Sequence, residues 1–320
     1  MNRQLSRVYL LWLTVFLSTL ASAQPNFDEV EVRVLQVREN IYMLVGAGGN
    51  ITLQTGPDGV LVVDTQYAGM SDKILAAIEE ISGGSIIRYV INTHFHGDHV
   101  GGNVNIASAG ATVSGGNMRR DVSGESAAII AHENVLLRLA SDGGDLPFAG
   151  WPTSPYIQGR KDLYFNGEGI RIQHQPDAHT DGDSTVHFRQ SNVVAVGDVY
   201  RTDEYPFIDM AAGGSIQGVI AAANNILEMI IPVYGQDGGT LVIPGHGRLS
   251  NMTDVVAWRE MLTIIRDRIQ YMIDQGMSLD QVLAAAPTRD YDPRWGSERG
   301  TPRFVEAVYR TLSDQEGAQQ

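Results

Sequence analysis

Apolar residues recur at two spacings along this chain, and the spacing separates strands from helices. Alternation or short continuous apolar runs predict strands in the first half at 30–37, 41–45, 51–54, 60–63 and 86–93. The run Val60-Leu61-Val62-Val63 is apolar at every position, as expected for a strand that is covered on both faces.

Further strands are expected at 170–172, 185–188, 193–196 and 241–243. Helical spacing of apolar residues predicts helices at 71–82, 128–139, 216–231, 255–272 and 303–312. Strands therefore alternate with helices in both halves of the chain, which predicts an α/β fold with two sheets sandwiched by helices. The stretch from Gly143 to Gly159, rich in Gly and Pro, is expected to be a surface loop or lid.

The first residues have the pattern of a secretory signal. Arg3 and Arg7 precede a mostly apolar run at 8–20, and Ala21-Ser22-Ala23 supplies small residues at a cleavage position. An uncleaved membrane anchor is the alternative, but the run would span only about 20 Å of a ~30 Å hydrocarbon core. We predict a signal peptide at 1–23, one domain at 24–320, no stable membrane anchor, and a periplasmic or secreted protein.

Composition narrows the range of functions. Hydrophobic residues make up 43% of the 320 residues, which excludes disorder as the main state. The chain has no cysteine, so disulfides, iron–sulfur clusters and a cysteine nucleophile are excluded. The 23 Lys and Arg residues against 37 Asp and Glu give a net charge of -14, which argues against a nucleic-acid partner. A small-molecule substrate is the expected partner, and the oligomeric state stays open.

Three of the eight histidines fall within one short motif at the end of the strand predicted at 86–93. His94 and His96 are two residues apart, so on an extended segment their rings point the same way and can reach one ion. Gly97 allows a sharp turn, after which Asp98 and His99 can face a second position. The pattern predicts a metal site at the carboxyl end of a buried strand.

Three other residues able to bind a metal follow strands later in the chain. They are His179, Asp198 and His246, each beside a glycine or another turn residue. Together with the first motif they provide seven ligands, enough for two adjacent ions. Of the remaining histidines, His132 is expected at the surface or in the cleft, whereas His174 and His187 are expected to be structural.

The ordered set His-x-His-x-Asp-His, His179, Asp198 and His246 resembles the metallo-β-lactamase superfamily, and the resemblance extends from the strands before Asp64 to His246. It implies a four-layer αβ/βα sandwich of two mixed sheets flanked by helices. It also implies two Zn²⁺ ions, with Fe or Mn as alternatives. By this resemblance the first zinc site is His94, His96 and His179, the second is Asp98, His99 and His246, and Asp198 bridges both.

The resemblance implies a zinc-dependent hydrolase in which a hydroxide bridging the metals opens a small cyclic amide or ester. Secretion favours a β-lactamase-like activity, and Asp98 is the expected catalytic residue. The bridging Asp198 is more similar to lactonases and to thioesterases of the glyoxalase II kind, which remain alternatives, as does a non-catalytic metal-binding relay protein. Tyr200, Asn117 and Tyr205 are candidate substrate contacts.

Overall fold

The computed structural model describes residues 26–112, 126–141, 146–232 and 238–318. The predicted signal peptide at 1–23 lies outside the described residues, as does the candidate contact Asn117. Across the described ranges, no helix combines the length and the apolar character that crossing a bilayer would require.

The first half of the chain forms one mixed sheet. Its strands are β1 (Arg33–Arg38), β2 (Ile41–Val45), β3 (Ile51–Gly56), β4 (Gly59–Val63), β5 (Ile87–Ile91) and β6 (Ala128–Ile130), in that spatial order. The first four strands pair antiparallel, whereas β4, β5 and β6 run parallel to one another. Every residue of β4 is buried, as its continuous apolar sequence predicts.

The second half forms another mixed sheet in the spatial order β12-β11-β10-β9-β8-β7. Its strands are β7 (Arg160–Phe165), β8 (Glu168–His174), β9 (Ser184–Phe188), β10 (Val193–Ala195), β11 (Leu241–Ile243) and β12 (Ser250–Asn251). Only β10 and β11 pair in parallel among these strands.

Helices cover the outer faces of both sheets. In the described residues they are α1 (Ser71–Ser82), α2 (Gly97–Val100), α3 (Asn103–Ser108), α4 (Glu133–Ser141), α5 (Ile216–Met229), α6 (Met252–Asp274), α7 (Leu279–Ala285), α8 (Asp292–Trp295) and α9 (Gly300–Ala318). The 3₁₀ turns Gly197–Val199 and Met210–Ala212 lie in the connections around β10 and α5.

Three large apolar clusters hold these layers together. One lies between the sheets and joins side chains such as Ile91 to Ile172 and Phe188. A second packs the first sheet on α1 through residues such as Ile74, and a third packs the second sheet on α5, α6 and α9 around the fully buried Trp258. Burying each large side chain contributes about 1.5–3 kcal/mol relative to exposure. The result is the predicted sandwich of two mixed sheets flanked by helices.

One predicted helix is wrong at its beginning. The segment 128–139 does not form a single helix, because Ala128–Ile130 is strand β6 and α4 starts only at Glu133. The strand β6 pairs with β5 through Ala128–Tyr89, Ile129–Val90 and Ile130–Ile91. A short apolar run can form a strand or part of a helix, and here the hydrogen bonds of the sheet make it a strand. In the loop predicted at 143–159, the described part contains one 3₁₀ turn, Phe148–Gly150.

Parallel pairing places several strand ends at one edge of the sandwich. In the first sheet, β4 is followed by Asp64 and β5 leads to His94. In the second sheet, β10 leads to Asp198 and β11 leads to His246. Both sheets therefore deliver polar residues to the same edge, which is where open α/β sheets form ligand crevices.

Candidate metal centre

The His-x-His-x-Asp-His motif is shaped by an extended segment and one helical turn. His96 is the N-cap of α2, with extended backbone angles of φ -63° and ψ 145°. The rings of His94 and His96 lie 4.9 Å apart between centroids on the same side of this segment. The turn of α2 then brings Asp98 and His99 back beside them, and the rings of His94 and His99 are 4.1 Å apart.

The second half of the chain adds three residues to the same place. His179 lies in a turn that Asp183 fixes, because its carboxylate accepts hydrogen bonds from Thr180 N at 2.7 Å and Thr180 Oγ1 at 2.9 Å. Asp198 lies in the 3₁₀ turn after β10, and His246 follows β11. Gly245 packs so closely on Asp198 that a Cβ atom there would overlap Asp198 Oδ1.

The side chains form three groups, and within each group the ligand atoms all lie within 4.8 Å of one another. The groups are His94, His96 and His179; His94, His99 and Asp198; and Asp98, His99 and His246. All seven residues predicted as metal ligands are therefore close together in space.

Two of the histidines are oriented by Asp64, the residue that directly follows β4. His99 Nδ1 donates to Asp64 Oδ2 at 2.8 Å. Thr93 Oγ1 donates to the same carboxylate oxygen at 2.7 Å, so it accepts from His94 Nδ1, which lies 3.0 Å away. These contacts hold Nδ1 of each ring outward, so Nε2 of His94 and of His99 is the atom that faces the centre.

The other pair of imidazoles is oriented by the segment 207–209. His179 Nδ1 donates to the carbonyl oxygen of Phe207 at 2.6 Å, and His96 Nε2 donates to Asp209 Oδ2 at 3.0 Å. The inward atoms, His179 Nε2 and His96 Nδ1, are 2.9 Å apart. Two lone pairs facing each other at this distance require a shared proton or a cation.

Asp198 contacts both ends of the cluster. Its Oδ1 lies 3.1 Å from His99 Nε2 and 3.5 Å from His246 Nε2, and its Oδ2 lies 3.9 Å from His179 Nε2. Asp98 Oδ2 lies 3.2 Å from His246 Nε2. Asp198 is thus positioned between the group that contains His179 and the group that contains His246.

The carboxylates of the cluster favour positive charge on the groups beside them. Burial alone would lower the pKa of His246, but Asp198 and the hydrogen bond to Asp98 raise it to about 9. Against the same effect of burial, Asp198 and Asp64 raise the pKa of His99 well above its ordinary value. Burial alone would raise the pKa of Asp98, but the hydrogen bond from His246 and the charge of His99 lower it to about 2. The carboxylates are therefore anionic at neutral pH.

His94 and His179 remain neutral. Burial, reinforced by the neighbouring His99 and His179, lowers the pKa of His94 well below its ordinary value. Burial also lowers the pKa of His179 to about 4. Neutral imidazole is the form that binds metals.

The donor set fits a metal cation. His94 Nε2, His99 Nε2 and Asp198 Oδ1 are buried and make no well-aligned hydrogen bond, although the last two atoms lie 3.1 Å apart. Unpaired buried polar atoms are costly, and a cation would satisfy all three. Imidazoles oriented by outer hydrogen bonds to carboxylate or carbonyl oxygens are the usual arrangement of metal ligands.

A cleft of about 900 Å³ opens above this cluster. Its lining includes the metal-site residues His96, Asp98 and His246 together with Phe207, Arg299 and Arg303. A more apolar recess of about 450 Å³ adjoins it and shares Tyr67, His96 and Gly97 with the cleft.

Tyr200 and Tyr205, the two candidate substrate contacts that the structure describes, direct their hydroxyl groups to other residues of the fold. Tyr200 is buried, its hydroxyl donates to Ser250 Oγ at 3.0 Å, and its ring packs on Trp258, so its position does not match a role as oxyanion donor. Tyr205 borders the cleft, but its hydroxyl donates to Asp292 Oδ1 at 2.9 Å and is turned away from the metal ligands.

Asp64, Thr93 and Asp209 are site residues that the sequence analysis did not assign. Asp64 could have been found from its place directly after the buried strand β4, at the same sheet edge as the histidine motif. Asp209 has no comparable signal, since its contact with His96 joins residues 113 positions apart.

Comparisons with known proteins agree with this geometry. The family model described as "Metallo-beta-lactamase superfamily" matches residues 44–246. The crystal structure of DIM-1 metallo-beta-lactamase matches with a TM-score of 0.56 and 17% identity, covering 73% of this chain and 99% of that chain. A metallo-beta-lactamase from Pontibacter korlensis gives a TM-score of 0.57 and 13% identity over 73% of this chain and 99% of its own.

A longer match is to a double mutant of the sec-alkyl sulfatase PisA1. Its TM-score is 0.66 at 16% identity, and the match covers 87% of this chain and 50% of that chain. Identities this low show a common fold, and the family match covers the residues of the His-x-His-x-Asp-His motif together with His179, Asp198 and His246.

Proposed function

Because this chain belongs to the metallo-beta-lactamase superfamily, we propose that it is a zinc-dependent hydrolase that opens a small cyclic amide or ester, with β-lactams as the leading substrate class. The observation that carries the proposal is the convergence of oriented imidazole lone pairs and two carboxylates at the floor of an open cleft. Such sites serve hydrolysis in much of this superfamily.

The proposed centre holds two divalent cations. His94, His96 and His179 would hold one, while Asp98, His99 and His246 would hold the other, with Asp198 between them. Zinc is proposed because neutral imidazoles dominate the ligands, although a shared carboxylate also suits iron or manganese. The chemistry such a pair supplies is polarisation of a carbonyl oxygen and activation of water at neutral pH.

Asp98 is the proposed catalytic residue. It is a metal-site carboxylate that lines the cleft, with 22% of its side chain exposed. Its low pKa keeps it anionic, so Oδ2 can accept a hydrogen bond from an attacking water and orient that water toward a substrate in the cleft. His246 Nε2 lies 3.2 Å from the same oxygen, so the two side chains are adjacent members of the proposed second group.

A second candidate activity is hydrolysis of an alkyl sulfate ester. It is supported by the match to the sec-alkyl sulfatase, which covers 87% of this chain, compared with 73% for each of the two lactamases described above. Lactones and thioesters remain alternatives within the same reaction class, because the same centre would activate water against each of them.

Export is proposed from the sequence of residues 1–23, which are expected to be removed. A periplasmic or secreted location would place the protein where β-lactams reach bacteria. Detection of the cleaved chain beginning at Gln24 in a periplasmic or culture fraction tests this; an intact N-terminus in the cytoplasmic fraction would contradict it.

The function is tested with a panel that contains a chromogenic β-lactam, a lactone, a thioester and an alkyl sulfate ester. We expect hydrolysis of the lactam to disappear with a chelator and to return with added zinc. Asp98→Asn should lower kcat by about 10²–10⁴-fold. Asp162→Asn, at an exposed pair with Arg171 on β7 and β8, is the matched control and should leave kcat unchanged. Hydrolysis of no member of the panel by metal-loaded protein would refute the proposal.

A further inference from the structure

The C-terminal helices add a wall to the cleft that lies outside the family match. The match ends at residue 246, whereas the cleft is also lined by Arg299, just before α9, and by Arg303 in the first turn of α9. These two arginines are exposed cations beside the anionic metal ligands of an acidic protein. Their role is therefore a property of this chain and does not follow from the shared ligand set.

Most other charged side chains of the cleft are paired within the protein. Arg201 makes two hydrogen bonds to Asp203, Nε to Oδ1 at 2.8 Å and Nη2 to Oδ2 at 3.0 Å. Glu306 accepts from Arg310 at 2.7 Å. These charges are largely compensated and attract a ligand less strongly.

Arg299 and Arg303 differ, since neither has an ion pair or side-chain hydrogen bond within the part of the chain that the structure describes. One lining carboxylate, Glu204, also lacks an ion-pair partner among those residues. Two unpaired cations against one unpaired anion leave this wall with net positive charge.

The guanidinium of Arg303 is held over an aromatic ring close to the metal ligands. Its Cζ lies 5.2 Å from the centroid of the Phe207 ring. That ring lies 6.0 Å from the ring of His96 and 5.7 Å from the ring of His179. A single aromatic ring therefore separates the cation from the metal ligands. Stacking orients the guanidinium while its N–H groups stay free for a ligand.

Resting on the function proposed above, we propose that Arg303 and Arg299 bind an anionic oxygen group of the substrate. The substrate class is a small molecule that carries a carboxylate, a sulfate or a similar oxyanion beside the bond to be hydrolysed. The planar guanidinium can donate two parallel hydrogen bonds to such a group, and Asp98 lines the same cleft.

The binding test does not depend on turnover. Benzoate and benzenesulfonate are titrated calorimetrically into the purified, metal-loaded protein and into R303Q, R299Q and the double variant. We expect the double variant to bind at least one of the anions about tenfold more weakly than wild type, with weaker binding at higher salt. The anion that loses more affinity identifies the preferred geometry, planar carboxylate or tetrahedral oxyanion. Equal affinities in wild type and double variant for both anions would overturn the proposal.

The matched control is R160Q, which removes one exposed arginine on β7 from outside the cleft lining. It has the same change in net charge as R303Q and should leave the affinity for both anions unaltered. An equal loss in R160Q would show that only the net charge matters and would also overturn the proposal. Thermal melting of each variant establishes that it is folded before titration.

A kinetic arm compares a chromogenic cephalosporin with its carboxyl methyl ester. R303Q should raise KM for the acid about tenfold more than KM for the ester. Equal increases for both substrates would contradict an anion site. If neither compound is hydrolysed by wild-type protein, the proposed lactamase activity fails, and the calorimetric result alone decides the anion site.

Discussion

Asp64 Oδ2 accepts a hydrogen bond from His99 Nδ1 at 2.8 Å, and both side chains are almost completely buried, at 2% and 0% exposure. This contact joins the end of β4 to the helical turn that follows β5. It fixes the protonated nitrogen of His99 and makes Nε2 the atom that faces the centre.

The first prediction concerns this contact. Asp64→Asn should lower the affinity for the metal bound through His99 by about 10–100-fold, because a neutral amide orients the imidazole poorly and lowers its basicity. Asparagine tolerates the positive backbone angle of Asp64, φ 62°, so the fold should persist. Competition with a fluorescent chelator measures the affinity. Asp162→Asn is the control, and an unchanged affinity in Asp64→Asn would contradict the assignment.

The second prediction concerns metal removal. Chelation should lower the melting temperature, because a cation that binds only the folded state stabilises it and because buried atoms such as His94 Nε2 lose their partner. Calorimetric melts before chelation, after it and after re-addition of zinc measure the effect. Elemental analysis should find two metal ions per chain in the untreated protein; no bound metal and no change in melting would refute a metal centre.

The third prediction uses the close packing of Gly49 on His99. A Cβ atom at Gly49 would overlap the imidazole, so Gly49→Ala should displace the ring and weaken metal binding by about tenfold or more. Gly159→Ala is the matched control, since nothing lies within 4 Å of a Cβ built there. Metal titration of both variants measures the difference. Equal affinity in the two would show that the ring has room to move.

The fourth prediction concerns pH and the stacked pair of His132 and His174, whose rings are 3.6 Å apart and inclined by 6°. Burial, and then the charge of His174, lowers the pKa of His132 from 6.5 to about 4, opposed by the hydrogen bond to the backbone of Ile157 and by Asp181. The unfolded chain therefore binds this proton first. The contribution of neutral His132 to the free energy of unfolding is complete above about pH 6.5, the pKa of the unfolded chain. It is lost as the pH falls toward about 4, the pKa in the folded protein.

His132→Phe keeps a ring in the stack but cannot bind a proton. The variant should lose less of its free energy of unfolding than wild type between about pH 7 and pH 5. Urea unfolding at both values measures this, and the metal ligands, common to both proteins, affect the two curves alike. Equal losses in the two proteins would show that His132 does not contribute to acid sensitivity.

Most residues of the metal centre could be predicted from the sequence because the ligands follow predicted strands. His94 to His99 are close in the chain, and their spacing restricts where the side chains can point. His179, Asp198 and His246 could be added because residues at the carboxyl ends of neighbouring strands share one edge. A continuous apolar run likewise predicted the buried strand β4.

Contacts between distant residues could not be predicted in this way. Asp209 orients His96 across 113 positions, and neither residue carries a local signal of the other. The strand Ala128–Ile130 is too short for periodicity to separate it from a helix, and only pairing with β5 decides it. Tyr200 follows Asp198 by two residues, yet packing on Trp258 turns it into the apolar cluster.

Each of the three ligand groups takes two residues from the first half of the chain and one from the second. Neither half alone can therefore assemble any of these groups. If the chain were cut between α4 and β7, one fragment would retain four of the seven donors and the other three. Recovery of metal binding on mixing the fragments would then report directly on reassociation of the two halves, making the centre an internal sensor of fragment complementation.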